Sequence, residues 1–245
     1  MTANPIFCAI DTPDLAIASR LAAQIADHVG GLKLGLEFFC ANGPEGVRQI
    51  ARAAGKDIFL DLKLHDIPNT VAAALQAVIP LKPRYLTLHA TGGLDMLKAA
   101  REAAYEAADK TAAAPPKLIA VTVLTSFDQA DLAEIGVNAT VSEQAHRLAA
   151  LAAEAGLDGL VCSAHEAKLL KSEFGHLLRI VPGIRPATGE VHDQKRVMTP
   201  AQALEEGASL LVIGRPITQA ADPKDAARRI AADIGIVATR ASQAQ

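Results

Sequence analysis

Tryptophan is absent from the 245-residue sequence, and two Tyr and six Phe make up its entire aromatic content. Single-stranded nucleic acid is held by stacked aromatic side chains in a basic groove. With 24 Lys and Arg against 27 Asp and Glu, a formal charge of -3 and no long basic run, the chain offers neither. Nucleic acid is therefore excluded as a partner, and any anionic ligand must meet a local basic pocket. Cysteine is also scarce: Cys8, Cys40 and Cys162 are odd in number, far apart and lack a C-x-x-C spacing. That pattern excludes a disulfide framework and a zinc finger and reads as reduced packing residues. No uninterrupted apolar run reaches the ~18 residues of a membrane span. Residues 1–6 show no basic stretch leading into an apolar one, as a secretory signal would. The expectation is a cytoplasmic protein with no membrane partner.

What is present is a repeat of short apolar runs rich in Ile, Val and Leu, each followed by a longer Ala-rich stretch with helical periodicity. Strands are expected over 6–10, 31–34, 58–62, 85–89, 118–124, 159–162, 179–181 and 210–213. Helices are expected over 14–29, 44–54, 69–79, 94–113, 142–155, 166–173, 200–206 and 223–234. Asp14 opens the first helix, and Thr199-Pro200 and Asp222-Pro223 each set an N-cap residue before a proline at the first helical position. Gly55, Gly156 and Gly207 follow helical stretches where a left-handed C-cap is needed.

Eight β-then-α repeats in about 250 residues predict an α/β fold, a single-domain (β/α)8 TIM barrel over residues 1–245. An open doubly wound sheet would carry a Gly-rich turn after its first strand. The turn here is Asp11-Thr12-Pro13-Asp14, with no glycine. Residues 237–245 are expected to form a frayed tail.

Active sites of such barrels lie at the C-terminal ends of the strands. Polar residues concentrate at those ends: Asp11, Lys33, Asp61 and Lys63, His89, Thr125, Gly183 and Arg185, and Gly214 and Arg215. A strand alternates faces with period two, so Asp61 and Lys63 share the face opposite Leu60 and Leu62. The same reasoning sends Lys33 inward between Leu32 and Leu34. Two ammoniums and one or two carboxylates then share a small volume, an arrangement that is costly to bury unless the charges are mutually paired. No His, Asp or Glu spacing resembles a zinc or facial-triad site, so no metal is expected. His65 and His89 read as hydrogen-bonding or packing residues.

The segment from Val181 through Pro182-Gly183-Ile184-Arg185 to Gln194-Lys195-Arg196 reads as a long glycine-bearing loop after the seventh strand. Loops after the seventh and eighth barrel strands often bind phosphate. A Gly followed closely by an Arg occurs after each of those two strands here, and Arg can grip phosphate bidentately. A small phosphorylated substrate anchored there would place its reacting end over the Lys/Asp array, and its remote binding energy would drive loop closure.

These residues together resemble the orotidine 5'-phosphate decarboxylase family, of the bacterial type, over nearly the whole chain. The resemblance rests on Ile10-Asp11, Leu32-Lys33-Leu34-Gly35, the run Asp61-Leu62-Lys63-Leu64-His65-Asp66-Ile67-Pro68-Asn69-Thr70, Val121 to Ser126, the loop from Pro182 to Gln194, and Ile213-Gly214-Arg215-Pro216. It implies decarboxylation of orotidine 5'-phosphate to uridine 5'-phosphate in pyrimidine biosynthesis, without a metal or organic cofactor.

By the family pattern, Lys63 is the general acid that protonates C6, Asp61 sits beside the departing carboxylate, and Lys33 holds the array together and reaches the ribose. Asp66 completes the catalytic set. The resemblance further implies that Asp11 binds ribose hydroxyls, that Thr125 contacts the pyrimidine or its neighbourhood, and that Arg185, Gln194, Gly214 and Arg215 cover the phosphate. The whole run 61–70, including Leu62, Leu64, His65, Pro68 and Asn69, belongs to the substrate-binding set. Asp66, Ile67 and Thr70 are implied to complete the partner's site in a homodimer.

Three other readings stand beside it. A metal-dependent phosphosugar decarboxylase or synthase shares the Asp-x-Lys motif, although the 66–70 extension and Asp193-Gln194 speak against it. A Schiff-base aldolase would use Lys33 or Lys63 as nucleophile. A barrel that merely binds a phosphorylated metabolite would bind without turnover.

Overall fold

In the computed structural model, residues 4–111, 114–185 and 198–236 are described. Eight parallel strands, β1 (Ile6–Ala9), β2 (Gly31–Gly35), β3 (Asp57–Leu64), β4 (Tyr85–His89), β5 (Lys117–Val121), β6 (Gly159–Val161), β7 (Leu178–Val181) and β8 (Leu210–Ile213), pair in sequence order. The barrel closes where β1 pairs with β8. Around it lie α1 (Leu15–Ile25), α2 (Leu36–Ala54), α3 (Pro68–Val78), α4 (Gly93–Thr111), α5 (Gln129–Glu134), α6 (Val141–Glu154), α7 (Ala164–Glu173), α8 (Pro200–Glu205), α9 (Arg215–Thr218) and α10 (Pro223–Asp233). This is the expected (β/α)8 barrel. No helix among the described residues is long and apolar enough to cross a membrane.

The strands are apolar on both faces because both faces are covered. Outward residues such as Ile6, Cys8, Leu32, Leu34, Leu60, Leu86 and Leu88 pack with the helices in one continuous core. Inward residues Phe7, Ala9, Phe59, Tyr85, Ile119, Ile180 and Val212 form a second core inside the barrel. Its floor is an edge-to-face cluster in which the Phe7 ring lies 5.4 Å from Tyr85 and 6.3 Å from Phe59. Gly31 makes room for it, since a Cβ there would stand 2.1 Å from the Phe7 ring.

Local signals set most helix ends. Asp14 accepts a hydrogen bond from the Ile17 amide at the start of α1, and Asp222 accepts one from the Asp225 amide at the start of α10. Thr199 caps α8, with Pro200 at its first position. Gly55, Gly156 and Gly207 take the positive φ expected of them, at 59°, 71° and 102°.

The differences have physical causes. Helix α2 begins eight residues before the expected 44, directly after β2, and bends at Gly43 (φ 56°), so that Pro44 starts its second half. Strand β5 stops at Val121 rather than 124. Beyond it the Phe127 amide donates to the Leu124 carbonyl at 2.9 Å, closing a turn where the expected strand ends. The short helices α5 and α9 have too few residues for a periodic signal. Helix α1 ends at Ile25, and a 3-10 turn over Ala26–His28 completes the segment expected to be helical to 29.

Candidate active site

Above the apolar floor, the inward faces turn polar toward the C-terminal ends of the strands. On β2 the inward position two beyond Gly31 is Lys33, and on β3 the positions after Phe59 are Asp61 and Lys63. Lys33 Nζ stands 3.3 Å from Asp11 Oδ1 and 3.4 Å from Asp61 Oδ2, and Lys63 Nζ stands 2.7 Å from the same Asp61 Oδ2. The result is an alternating row, Asp11–Lys33–Asp61–Lys63, with no net charge when all four are ionised. The period-two reading of these strands holds, since Leu32, Leu34, Leu60 and Leu62 all lie in the outer core.

Burial grades along the row. The side chains of Lys33 and Asp61 are each 11% exposed, Lys63 29% and Asp11 51%. Burial opposes the charge on Lys33, but Asp61 and Asp11 outweigh it and hold the ammonium above the ordinary lysine value. Burial likewise opposes ionisation of Asp61. The two lysines, with hydrogen bonds from Lys63 and Thr87, overcome it and hold the carboxyl below the usual carboxylate range. Gly35 keeps the space clear, because a Cβ there would meet Lys33 Nζ at 3.1 Å and Asp11 Oδ1 at 3.2 Å.

Lys63 is set by an irregularity. The pairing of β3 with β4 shifts register between Leu60 and Leu64, and Lys63 adopts φ 49°, in the left-handed region. A non-glycine residue held there costs of order ~1–3 kcal/mol and persists only where its surroundings fix it. Its amide donates to Thr87 Oγ1 at 2.9 Å, and the same hydroxyl donates to Asp61 Oδ1 at 2.8 Å.

One cavity of about 290 Å³ gathers Asp11, Lys33, Asp61, Lys63, Thr125, Arg185, Gly214 and Arg215, with Gly183 beside them. Its deep wall is apolar, formed by Phe59, Val121, Val123, Val161, Ile180 and Val212. The charged row thus shares one cavity with the Gly/Arg pairs that follow β7 and β8. Leu62 and Leu64 do not line this cavity; they pack into the outer core. His65, Asp66, Ile67, Pro68, Asn69 and Thr70 are exposed and lie outside it, with Ile67 66% exposed. Asp66 Oδ1 accepts from the Ile67 amide at 2.7 Å. Gln194 and the loop residues 186–197 fall outside the described residues.

His65 and His89 sit beside the row with ring centroids 5.5 Å apart. Burial first, then the neighbouring His65 and Lys63, lower the His89 pKa against the pull of Asp61, so its ring is neutral at neutral pH. Among the described residues, no three His, Cys, Asp or Glu side chains converge as a metal site would require.

Sequence reasoning missed Thr87 and Gly35. A Thr in a β-strand is ordinary strand-forming chemistry, but Tyr85, Thr87 and His89 share one face by period two. A hydroxyl two residues before a histidine at a barrel mouth was the available signal.

Comparison with known proteins agrees with this geometry. The chain is 56% identical over 235 residues to the orotidine 5'-phosphate decarboxylase of Rhodospirillum rubrum, covering 96% of this chain and 95% of that one. It is likewise 56% identical over 231 residues to that of Sphingopyxis alaskensis, covering 94% and 99%. The crystal structure of orotidine 5'-phosphate decarboxylase from Lactobacillus acidophilus superposes with a TM-score of 0.82 at 36% identity, over 95% of this chain and 99% of that one. A family model described as orotidine 5'-phosphate decarboxylase / HUMPS matches residues 4–230. With a closed barrel, a Lys/Asp row at its mouth and relatives matched over nearly their whole length, the chain belongs to the orotidine 5'-phosphate decarboxylase / HUMPS family.

Proposed function

We propose that this chain decarboxylates orotidine 5'-phosphate to uridine 5'-phosphate in pyrimidine biosynthesis, with Lys63 as the general acid. The observation that carries the reading is the alternating Asp11–Lys33–Asp61–Lys63 row, which lines one cavity together with Arg185 and Arg215. The family description spans two groups, and the full-length relatives named above favour the decarboxylase over the metal-dependent phosphosugar reading.

The chemistry follows from the charges. Breaking the bond between C6 and the carboxylate carbon releases carbon dioxide and leaves the electron pair on C6. No carbonyl adjoins C6 to take up that charge, so a fixed ammonium is the natural stabiliser, and it acts most strongly in a water-poor site. Lys63 Nζ then gives its proton to C6 and recovers one from solvent. Asp61, ionised by its two lysines, stands beside the departing carboxylate and keeps the Lys63 ammonium aimed. Asp11 and Lys33 hold the ribose hydroxyls, and Thr125 meets the pyrimidine. Gly183 and Gly214 admit the phosphate to Arg185 and Arg215, with Gln194 completing the grip. No cofactor takes part in this scheme.

Arg215→Ala is expected to raise KM and lower kcat together, with about 1.5–3 kcal/mol lost from kcat/KM, the range for a hydrogen bond to a charged group. Steady-state kinetics checks this. Unchanged kcat and KM would remove Arg215 from the phosphate site.

The active form in this reading is a cytoplasmic homodimer, each 245-residue chain one barrel domain. Asp66, Ile67 and Thr70 are exposed and stand outside their own chain's cavity, as residues serving a partner's site would. Cys8 and Cys40 as thiols suit a reducing compartment. Sedimentation at assay concentration is expected to give a dimer, and full activity from a monomer would overturn that part.

The test of the function is ultraviolet-monitored turnover of orotidine 5'-phosphate with and without chelator. Chelator-resistant formation of uridine 5'-phosphate is the expected result. A folded protein that makes none would overturn the assignment, and activity lost in chelator would favour the metal-dependent alternative.

A further inference from the structure

We infer that Thr87, on β4 and outside the charged row, is the positioning residue that sets the aim of Lys63. Its side chain is fully buried, and its hydroxyl does two things at once. It accepts the Lys63 amide proton at 2.9 Å and donates its own proton to Asp61 Oδ1 at 2.8 Å. A hydroxyl has a single proton to give, and an ionised carboxylate can only accept, so the two bonds fix each other's direction.

The other carboxylate oxygen, Asp61 Oδ2, takes the Lys63 ammonium at 2.7 Å. A closed ring results, running from the Lys63 amide through Thr87 to Asp61 and back to Lys63 Nζ. Both ends of one lysine are tied through one threonine. The ring also lies where the β3–β4 ladder shifts register and where Lys63 takes a positive φ, so the hydroxyl supplies an acceptor for an amide displaced from the regular ladder. Without it the Lys63 amide loses its acceptor and Asp61 Oδ1 loses the hydroxyl donor, which leaves the carboxylate held through Oδ2 by the two lysines.

The inference rests on the proposed decarboxylation for its catalytic consequence, but not for the ring itself. Thr87→Val keeps the shape and removes the hydroxyl, and Thr87→Ser keeps the hydroxyl and removes the methyl. Displacing a reacting group by about 1 Å costs on the order of 100-fold, so kcat in Thr87→Val is expected to fall by that much while KM moves far less. Thr87→Ser is expected to restore most of kcat. Hydrogen exchange of the Lys63 amide, followed by NMR in the unliganded protein, is expected to be slow in the unsubstituted chain and in Thr87→Ser and fast in Thr87→Val.

A kcat in Thr87→Val close to that of the unsubstituted chain would overturn the inference. So would an equal loss in the serine and valine variants, which would assign Thr87 to packing alone. If the valine variant does not fold, Thr87→Ala set against Thr87→Ser makes the same comparison. If the unsubstituted chain turns over no substrate, the functional reading fails by itself, and the exchange measurement still decides the ring: unchanged protection of the Lys63 amide in Thr87→Val would overturn it.

Discussion

Lys63→Ala is expected to abolish turnover of orotidine 5'-phosphate while the folded barrel still binds uridine 5'-phosphate. Two effects are lost together. General acid catalysis contributes about 10²–10⁴-fold and stabilisation of developing charge about 10²–10³-fold, so kcat should fall by at least about 10⁴-fold. In the proposed scheme product binding draws instead on Arg185, Gly214 and Arg215, which line the same cavity, and on Asp11 and Lys33. The fold should survive, because Asp61 keeps Lys33 at 3.4 Å and the Thr87 hydroxyl at 2.8 Å as partners. Single-turnover kinetics and product titration by calorimetry check the two halves separately. A loss of product affinity as large as the loss in kcat would mean that Lys63 anchors the ligand rather than acting on C6.

The Lys/Asp row was legible in the sequence because its geometry is local. Period two on Leu32-Lys33-Leu34 and on Leu60-Asp61-Leu62-Lys63 decides which side chains enter the barrel, and burial of the leucines in the outer core agrees. Eight strands and most helix boundaries were equally local, set by caps such as Asp14, Thr199 and Gly55. What the sequence could not carry was set between strands. The meeting of Thr87 with both Asp61 and Lys63 depends on how far β4 is staggered against β3 and on a register shift that no residue of β3 announces. The start of α2 at Leu36 was hidden for a related reason. Its N-cap, Gly35, makes no side-chain capping bond, while Asn42-Gly43-Pro44 carries a strong break signal that the structure spends on a kink inside one continuous run.

Asp61→Ala is expected to be the most destabilising single change in the cavity, and its pH dependence is diagnostic. The substitution leaves two ammoniums facing one another, and Lys63 loses the partner at 2.7 Å. Lys33 keeps Asp11 at 3.3 Å, but that carboxylate is half exposed and a weaker counter-charge. Removing one partner of a buried pair costs about 3–5 kcal/mol, which for a chain of this size lowers the melting temperature by roughly 10 °C.

In the unsubstituted chain the Asp61 carboxyl is held below its ordinary 3.8, so its contribution is present above that value and is lost only as pH falls through the lower, folded one. The Lys33 ammonium is held above its ordinary 10.5, and its contribution is present below that value and lost as pH rises through the folded one. Between those limits Lys33 and Asp61 add no pH dependence of their own.

Without Asp61 the Lys33 ammonium loses one of the two carboxylates that hold it up against burial, so its folded value falls relative to that of the parent. The parent's advantage from this lysine is complete while the ammonium is charged in both proteins, and it shrinks as pH rises through the variant's lower folded value. The gap in melting temperature between the two should therefore narrow as pH rises from neutral into the range where the lysine deprotonates. Thermal unfolding of both proteins across that range is the measurement. A gap that stays constant or widens would mean that Lys33 owes its charge to Asp11 rather than to Asp61, and that the row is organised from its exposed end.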